Sequence, residues 1–253
     1  MADLDLARRL CGSDVHVWVI DLEASQSCVR KLSSTLSSDE MDRATSFTFE
    51  HLTTRFCVCR GLLRAFVGTY LGTAPRDIEF LYGRCGKPFV AGADAFQFNL
   101  AHSENMAVYA FACGCDLGID IERVRDIQDI AGIARHFFCP EEVADLTSVS
   151  ARERLESFFA CWTRKEAYIK ATGEGLSASL DSFRVALQPW ESPCFVHING
   201  STSDAGLWSL HSFRPNEEHI GALAFQDRRK LRFFERQPVE NVLTKIAGRD
   251  FAH

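Results

Sequence analysis

Apolar residues recur along this chain at two different spacings, and the spacing separates strands from helices. Alternation at every second residue and β-branched runs predict strands. The clearest are VHVWVIDL (15–22), AFQFNLAHSE (95–104), MAVYAFAC (106–113) and LGIDIERV (117–124). Further candidates are IEFLY (78–82), SFRVALQ (182–188), CFVHI (194–198), WSLHSF (208–213) and IGALAFQ (220–226). The stretch that begins at Asp227 is charged, and its pattern predicts no regular element.

Helical spacing and capping signals predict the helices that lie between these strands. SSDEMDRATSF (37–47) and CPEEVADL (139–146) each begin with an N-terminal capping pattern. HLTTRFCVCRGLLRAFVGTYLG (51–72) predicts a long helix that ends at Gly72. A second long helix includes ERLESFFACWTRKEAYIK (153–170). Helices and strands in this order predict an α+β fold.

The predicted helix at residues 153–170 carries a carboxylate on its apolar side. On a helical wheel, Phe158, Phe159 and Trp162 fall on one apolar arc. Glu166 falls inside that arc, and Lys170 lies at its edge. Glutamate–lysine pairs at this spacing commonly decorate exposed helix faces, so a plain surface pair is one interpretation. The other is that Glu166 points at a functional site, and its position within the arc favours this second interpretation.

A faint internal repeat connects the two long helices. Phe56, Cys59, Ala65, Phe66 and Val67 match Phe158, Cys161, Ala167, Tyr168 and Ile169 at constant spacing. DLE (21–23) also resembles DIE (120–122). Because the matches are few, chance remains the alternative. A genuine repeat would predict two similar α+β halves with an active site between them. Arg64 would then match Glu166, and a cation of one half would face a carboxylate of the other.

Composition and charge exclude several classes of protein. The 253 residues are 46% hydrophobic and 25% charged, which is typical of a globular rather than a disordered chain. A formal net charge of −6 provides no basic field for nucleic acid. Apolar runs are too short to span a membrane, and no secretory signal opens the sequence, so we expect a cytoplasmic protein. The ten cysteines are interpreted as reduced and mostly buried, with metal binding as the less favoured alternative.

Two carboxylates share one face of the strand predicted at residues 117–124. Side chains alternate along a strand, so Asp120 and Glu122 point to the same side. Neighbouring carboxylates repel each other unless a cation lies between them. Mg²⁺ prefers such oxygen ligands together with substrate phosphates, and Glu166 is a candidate third carboxylate. The pattern indicates a divalent-metal site for a phosphate-bearing substrate, with a solvated strand face as the simpler alternative.

Several cations are candidates for binding that phosphate. Lys87 lies between Gly86 and Pro88 on a turn that would present its ammonium group to an anion. His102 follows a strand and is able to hydrogen-bond a phosphate oxygen. Both also have ordinary interpretations, as a solvated loop lysine and a structural histidine. The helix arginines are open to the same two interpretations: Arg43, Arg55, Arg60 and Arg64.

Two motifs and the distance between them resemble the signature of a known family. LGIDIE (117–122) and WTRKEAYIKATGEGLS (162–177) are similar to G-[IV]-D-[IV]-E and W-x-x-K-E-x-x-x-K-x-x-G-x-G-L of the 4′-phosphopantetheinyl transferases. GKP (86–88) and FNLAHSE (98–104) also fall in the family's order and spacing. The likeness extends from Arg43 to Phe183 and is closest in kind to the larger, Sfp-type branch.

The resemblance implies two similar α+β halves related by a pseudo-two-fold axis, with the active site in the cleft between them. Residues 1–115 would form the N-terminal half, which supplies the coenzyme A phosphate contacts. Residues 116–226 would form the C-terminal half, which carries the metal and catalytic motifs. Residues 227–253 would be a charged C-terminal extension. The resemblance further implies a monomer, and the negative net charge and short apolar runs predict no nucleic-acid or membrane partner.

The implied reaction moves 4′-phosphopantetheine from coenzyme A to a serine hydroxyl of an apo acyl or peptidyl carrier protein, releasing adenosine 3′,5′-bisphosphate. By resemblance, Asp120, Glu122 and Glu166 hold Mg²⁺, with Mn²⁺ as an alternative. Glu166 is also the base for the serine, and Lys170 stabilises the leaving phosphate. Lys165 has no role that the resemblance makes plain. The implied coenzyme A contacts are Arg43, Arg55, Lys87, His102 and Lys170.

This chain departs from the family pattern at two positions. Ala101 replaces a common serine, and Glu40 lies where a second cation is common. Both departures affect the expected phosphate contacts. Carrier proteins are typically acidic around their serine, so we expect local docking on IARHFFCPEEVADL (133–146). The expected docking residues are Arg135, Phe137 and Phe138.

Two other functions would use the same residues. A Mg²⁺-dependent hydrolase of a nucleotide pyrophosphate would need the three carboxylates but no docking surface. A non-catalytic scaffold that binds carrier proteins would need the fold alone, although the intact carboxylates and Lys170 argue against it. The sequence leaves open whether the carrier belongs to fatty-acid, polyketide or peptide synthesis.

Overall fold

The computed structural model of this chain describes residues 6–7, 10, 14–175 and 179–246, and it has the predicted α+β composition. The strands are β1 (Asp14–Asp21), β2 (Phe80–Tyr82), β3 (Pro88–Val90), β4 (Phe96–Ser103), β5 (Met106–Cys113), β6 (Leu117–Arg123), β7 (Phe183–Val185), β8 (Phe195–Ile198), β9 (Trp208–Asn216), β10 (His219–Gln226) and β11 (Lys230–Pro238). The helices are α1 (Gln26–Ser33), α2 (Ser38–Thr45), α3 (Glu50–Leu71), α4 (Ile130–Phe137), α5 (Pro140–Ser148), α6 (Ala151–Thr172), α7 (Thr202–Ala205) and α8 (Val239–Ile246). Short 3₁₀ turns lie at Pro75–Asp77 and Leu180–Ser182.

The order of elements from β1 to β5 recurs from β6 to β10. Each stretch has a strand, two short helices, a long helix of 22 residues, a 3₁₀ turn, a small hairpin and an antiparallel strand pair. The short helix α7 is an addition in the second stretch. The strands also pair in the same order, as β1-β5-β4 in one sheet and β6-β10-β9 in the other. The recurrence therefore extends from chain order to hydrogen-bonded topology.

The ends of α3 and α6 fix the register between the two stretches. Both helices end at a glycine in the left-handed region, Gly72 at φ 68° and Gly173 at φ 71°, where a side chain would strain the backbone. When the two helices are aligned at these glycines, the residue of α6 equivalent to Arg64 is Lys165 and not Glu166. The predicted pairing of Arg64 with Glu166 across the molecule is wrong, because Arg64 is 2% exposed and is bonded to Glu40.

Strand register corrects the resemblance between DLE and DIE in the same way. The hairpins β4–β5 and β9–β10 open at the pairs Ser103–Met106 and Asn216–His219, so Met106 matches His219. Asp21 pairs with Met106, and Arg123 pairs with His219. Asp21 is therefore equivalent to Arg123 and not to Asp120, so the match between DLE and DIE does not follow the strand register.

The two sheets pack face to face, and a long helix covers the outer face of each. The apolar cluster between the sheets includes Val17, Val108, Ile119 and Leu223. A second cluster joins the outer face of the first sheet to α3, and a third joins the outer face of the second sheet to α6. The resulting layer order is helix, sheet, sheet, helix. Asp120 and Glu122 alternate with the inter-sheet residues of β6, so they lie on the side of α6.

The C-terminal stretch that the sequence pattern left unassigned completes the N-terminal sheet. Strand β11 pairs in parallel with β1, and the ring of Phe234 stacks on Trp18 with centroids 3.8 Å apart. Helix α8 then buries Val242 and Leu243 in the same core as α3. Residues 247–253 of the predicted extension lie outside the described residues. Within the described ranges, no helix combines the length and apolarity needed to cross a membrane.

Candidate active site

The candidate site lies where edge strand β4 of the first sheet meets edge strand β6 of the second. Side chains of β4 satisfy the backbone N–H groups of β6: Asn99 Oδ1 accepts from Ile119 N at 2.8 Å, and Ser103 Oγ accepts from Arg123 N at 3.0 Å. Gly118 allows α6 to approach this edge, because a Cβ there would overlap the backbone of α6. The glycine of the LGIDIE motif thus has a packing role.

Strand β6 carries Asp120 and Glu122, and helix α6, which packs on it, carries Glu166 and Lys170. Asp120 is 5% exposed, and its Oδ1 accepts a hydrogen bond from Lys170 Nζ at 2.6 Å. Asp120 Oδ2 is buried without a hydrogen-bond partner. Glu122 Oε2 accepts from Ser103 Oγ and from Arg125, each at 3.4 Å. A buried, unpartnered carboxylate oxygen is costly unless a ligand satisfies it.

Electrostatic coupling links the three carboxylates. Burial raises the pKa of Glu166, the Lys170 ammonium opposes that rise, and Asp120 and Glu122 add to it. Burial and the charge of Asp120 likewise raise the pKa of Glu122. For Lys170, burial lowers the pKa, but the charge and hydrogen bond of Asp120 together with the charges of Glu166 and Glu122 outweigh it, so the pKa is raised. The site stores carboxylate repulsion that a cation would relieve.

This donor set fits a hard divalent cation. The unpartnered oxygen of Asp120 and the mutual repulsion of the carboxylates are the expected marks of an oxygen-ligand site. Among the described residues, no three His, Cys, Asp or Glu side chains already stand close enough together to hold a metal ion. Binding of a cation by all three carboxylates would therefore require their side chains to move closer together.

Glu166 borders open space and not a sealed core. It lines a cavity of about 300 Å³ together with Lys170, Lys87 and Asn99. A larger cavity of about 580 Å³ adjoins it, and Gly86, Pro88 and Leu100 line both. The carboxylate on the apolar side of the helix is thus explained by a cavity beside the core.

The larger cavity gathers three of the predicted phosphate ligands: Arg43, Arg55 and His102. Arg60 and Tyr82 also line it and bond to each other. No sequence signal distinguished Arg60, because an arginine on a helix generally lies on a solvated face and the resemblance pointed only to Arg43 and Arg55. Loss of hydration lowers the pKa of His102, and the charges of Arg55 and Lys170 lower it further, so all three effects favour the neutral ring.

Lys87 lies in the smaller cavity, but its ammonium group is already engaged. Its Nζ donates to Leu117 O at 3.0 Å and to Ala171 O at 2.8 Å. Burial lowers the pKa of Lys87, and the charge of Asp116 opposes that change. The ammonium group therefore joins the turn between β2 and β3 to the start of β6 and the end of α6, as well as bordering the cavity.

The two departures from the family pattern have structural explanations. Glu40 lies in the wall of the larger cavity but is only 3% exposed, and its carboxylate is already engaged by Arg64 and Arg60. Hydrogen bonds from these arginines lower its pKa against the opposing effect of burial. Ala101 packs in the cluster between the sheets, so its side chain points away from the larger cavity.

The predicted docking segment is only partly available for binding. Arg135 is exposed on α4, and Phe137 is half-buried with its ring edge-on to Trp162 at 5.6 Å. Phe138 is wrong as a docking residue, because it is 3% exposed and stacks on Phe158 inside the core. The last part of the second motif, Leu176 and Ser177, lies outside the described residues.

Comparison with known proteins connects both stretches to one family. Residues 116–224 match the 4′-phosphopantetheinyl transferase superfamily, and residues 22–113 match the N-terminal region of a 4′-phosphopantetheinyl transferase. The chain is 38% identical over 218 residues to the 4′-phosphopantetheinyl transferase HetI of Nostoc sp., covering 85% of this chain and 89% of HetI. It is 29% identical over 187 residues to the 4′-phosphopantetheinyl transferase Sfp of Bacillus subtilis, covering 70% of this chain and 82% of Sfp.

A solved structure with a similar fold in part is the holo-[acyl-carrier-protein] synthase of Neisseria meningitidis. It is 18% identical, with a TM-score of 0.36, and covers 45% of this chain and 98% of that protein. The family matches and the extended likeness to HetI together account for both stretches of the fold and for both motifs of the site. On these grounds the chain belongs to the 4′-phosphopantetheinyl transferase superfamily, with relatives of the larger, Sfp-type branch.

Proposed function

We propose that this protein transfers 4′-phosphopantetheine from coenzyme A to a serine hydroxyl of an apo acyl or peptidyl carrier protein and releases adenosine 3′,5′-bisphosphate. The observation that carries this proposal is the meeting of two adjoining cavities, one lined by cations and one by Glu166 and Lys170. A bisphosphorylated nucleotide suits the first, and phosphoryl transfer suits the second. Such transfer depends mainly on positioning and charge neutralisation.

The architecture behind this proposal is a pair of similar halves, residues 1–115 and 116–226, related by a pseudo-two-fold axis. The recurring element order and strand pairing support it. The active site would lie in the cleft between the halves, where β4 meets β6. Residues 230–246 of the extension pack with the first half, which fits a single-chain, monomeric assembly of both halves.

Mg²⁺ would be held by Asp120, Glu122 and Glu166, and Mn²⁺ has the same ligand preferences. When bound, the metal neutralises charge on the pyrophosphate of coenzyme A. The protein's own groups complete the reaction. The carboxylate of Glu166 accepts the serine proton, directly or through water, as the hydroxyl oxygen attacks phosphorus. Lys170 donates a hydrogen bond to the phosphate oxygen that leaves.

Coenzyme A phosphates would bind along the larger cavity. The guanidinium groups of Arg43 and Arg55 supply charge-assisted hydrogen bonds, and the neutral His102 ring donates one N–H. Lys87 has one N–H beyond the two that it gives to backbone carbonyls, and that one remains for a phosphate oxygen. The carrier protein would dock at α4, with Arg135 facing its acidic surface and the edge of Phe137 in apolar contact.

Intact-protein mass spectrometry tests the reaction directly. The purified protein is mixed with coenzyme A, Mg²⁺ and a panel of apo carrier proteins, and a chelator-treated sample serves as control. The expected result is a carrier that gains one phosphopantetheine only when metal is present. Coenzyme A cleaved without a change in the carrier would instead support the pyrophosphate hydrolase. Intact coenzyme A with every carrier unmodified would contradict the transferase and favour the binding scaffold.

A further inference from the structure

Each stretch of the repeat contains a buried glutamate that caps a short helix and binds a cation of the long helix. Glu40 of α2 accepts from Ser37 N at 3.0 Å and from Arg64 Nε at 2.6 Å. We call Glu40 with Arg64 the first clamp. Glu142 of α5 accepts from Cys139 N at 3.1 Å and pairs with Lys165 Nζ at 2.8 Å. We call Glu142 with Lys165 the second clamp.

Both cations also bind the 3₁₀ turn that follows their long helix. Arg64 Nη1 donates to the carbonyl oxygens of Pro75 and Ile78, each at 2.9 Å. Lys165 Nζ donates to the carbonyl oxygens of Leu180 at 2.7 Å and Phe183 at 2.6 Å. Each clamp therefore ties three elements together: a short capped helix, the long helix and the turn beyond it. The two ends of each tie are distant in sequence, so the clamp fixes their relative position.

The clamps are buried enough that stability alone is a weak explanation for them. The side chains of Lys165 and Glu142 are 1% and 0% exposed, and those of Arg64 and Glu40 are 2% and 4% exposed. Removing two charges from water offsets much of their mutual attraction, and apolar replacements of similar volume are often no less stable. A buried pair in both stretches therefore points to a requirement for geometry.

The elements that the two clamps hold face different substrates. Glu40 of the first clamp also binds Arg60, which lines the larger cavity, and α2 carries Arg43 of that cavity. Glu142 of the second clamp caps α5 at Cys139, and the segment directly before Cys139 is α4 with Arg135 and Phe137. Lys165 is adjacent to Glu166 on α6. The first clamp thus supports the cavity for coenzyme A, and the second supports the docking segment and the proposed base.

We propose that Arg64 and Lys165 are positioning residues, one for each substrate. Arg64 holds the wall of the coenzyme A cavity through Glu40. Lys165 holds α4 and Glu166 in a fixed relation through Glu142, and touches neither substrate. This assignment rests on the proposed function. It gives Lys165 of the second motif a role that does not involve binding a phosphate.

Steady-state kinetics of matched charge-removing variants test the assignment. Lys165→Met and Arg64→Met keep the length of the side chain without its charge. In Lys165→Met, we expect the KM for the carrier protein to rise and kcat to fall, each about tenfold or more, with the Kd for coenzyme A within about twofold of the parent protein. In Arg64→Met, we expect the Kd for coenzyme A to rise about tenfold while the KM for the carrier stays within about twofold.

Arg64→Lys and Lys165→Arg are the conservative controls, because each keeps the positive charge and introduces the residue type found in the other clamp. Recovery of most of the lost function in these variants is the expected result. Equal changes in the constants for both substrates, in either methionine variant, would overturn the proposal and leave the clamps as purely structural. If a methionine variant fails to fold, Glu142→Gln replaces Lys165→Met and Glu40→Gln replaces Arg64→Met. We then expect the carrier constants to change in Glu142→Gln and the Kd for coenzyme A to change in Glu40→Gln.

The proposed function and this inference fail in distinguishable ways. If the parent protein transfers no phosphopantetheine to any carrier, the proposed function fails. Coenzyme A binding, measured by calorimetry without a carrier, then still decides the first clamp: a Kd unchanged by Arg64→Met would contradict it. If the parent protein is active and the split between substrates is absent, the inference alone is wrong.

Discussion

The first and second stretches of the repeat have the same order of elements but carry different kinds of side chain at equivalent positions. On β6, Asp120 and Glu122 point toward the long helix. The strand register shows that the equivalent residues of β1 are Trp18 and Ile20. Where α6 carries Glu166, the helix ends place Ala65 on α3. The apolar positions belong to the buried core around α3, whereas Glu166 borders a cavity and Asp120 binds Lys170, which lines the same cavity. The same backbone positions thus carry apolar core residues in one stretch and charged residues of the candidate site in the other.

The charged residues of the second stretch lower its stability. Trp18 donates from Nε1 to Tyr70 Oη at 3.1 Å, so its polar atom is satisfied inside the core. Asp120 keeps one buried oxygen without a partner. Burying an unsatisfied polar atom costs about 1–3 kcal/mol, so the second copy is less stable at these positions than an apolar one would be. Four experiments test this difference between the two stretches.

Glu166→Gln should have the largest effect, because it removes the charge and basicity that separate the copies. We expect the rate of phosphopantetheine transfer to fall by about 10²–10⁴-fold, with a smaller loss of coenzyme A binding. Transfer is followed by intact-protein mass spectrometry. Glu156→Gln is the matched control on the same helix, since Glu156 forms an exposed pair with Arg214 and should leave turnover unchanged. Near-normal turnover in Glu166→Gln would remove Glu166 from the chemistry.

Trp18→Ala should instead lower stability. Trp18 is 1% exposed and packs between Phe66 and Phe234, so truncation should cost about 3–5 kcal/mol in the free energy of unfolding. Urea denaturation measures this loss. Transfer activity per folded molecule should remain close to that of the parent protein. A selective loss of activity with little loss of stability would show that the two copies are not divided in the way described.

Glu40→Gln should change how stability depends on pH. The folded-state pKa of Glu40 lies below its ordinary value of 4.5, so its stabilising effect is present above that value and is lost as pH falls through the folded pKa. The substitution should cost about 1–3 kcal/mol at neutral pH, because Arg64 loses its charged partner. The gap between the two proteins should narrow on acidification below 4.5. A constant gap across an acid titration would contradict the linkage.

Asp120→Leu combined with Lys170→Met should have the smallest effect on stability. The pair makes the second copy resemble the apolar first copy, and Lys170 is partly exposed, which limits what its ion pair contributes. We expect the free energy of unfolding to stay level or rise by up to about 1 kcal/mol, while transfer is abolished. Thermal denaturation measures the stability. A large destabilisation would mean that this ion pair is needed for the fold as well as for the site.

The sequence was most informative where side-chain type and spacing act locally. Alternation on β6 put Asp120 and Glu122 on one face, and the helical wheel put Glu166 within the apolar arc of α6, where the structure has a cavity beside the core. It was less informative where a long side chain reaches a distant partner. Lys87 binds carbonyl oxygens of β6 and α6, which no local pattern indicates. Glu40 was noted only as a missing cation, because the arginines that it binds lie on another helix.

Two other differences have equally physical causes. Phe137 and Phe138 are adjacent, but α4 ends at Phe137 and Phe138 continues in extended conformation, so the second ring turns into the core. Strand β11 is an edge strand whose face toward solvent is charged, and that composition concealed its pairing with β1. In both cases the tertiary partner decides the outcome.

The pairing of β11 with β1 also sets an order for making the protein. Strand β1 lies near the start of the chain, yet its parallel partner and the apolar side of α8 come from residues 230–246. As the polypeptide emerges from the ribosome, the first half has all of its own strands but an open edge and an uncovered core. Its closure has to wait until translation has passed Ile246, so the copy that is made first is the copy that is finished last.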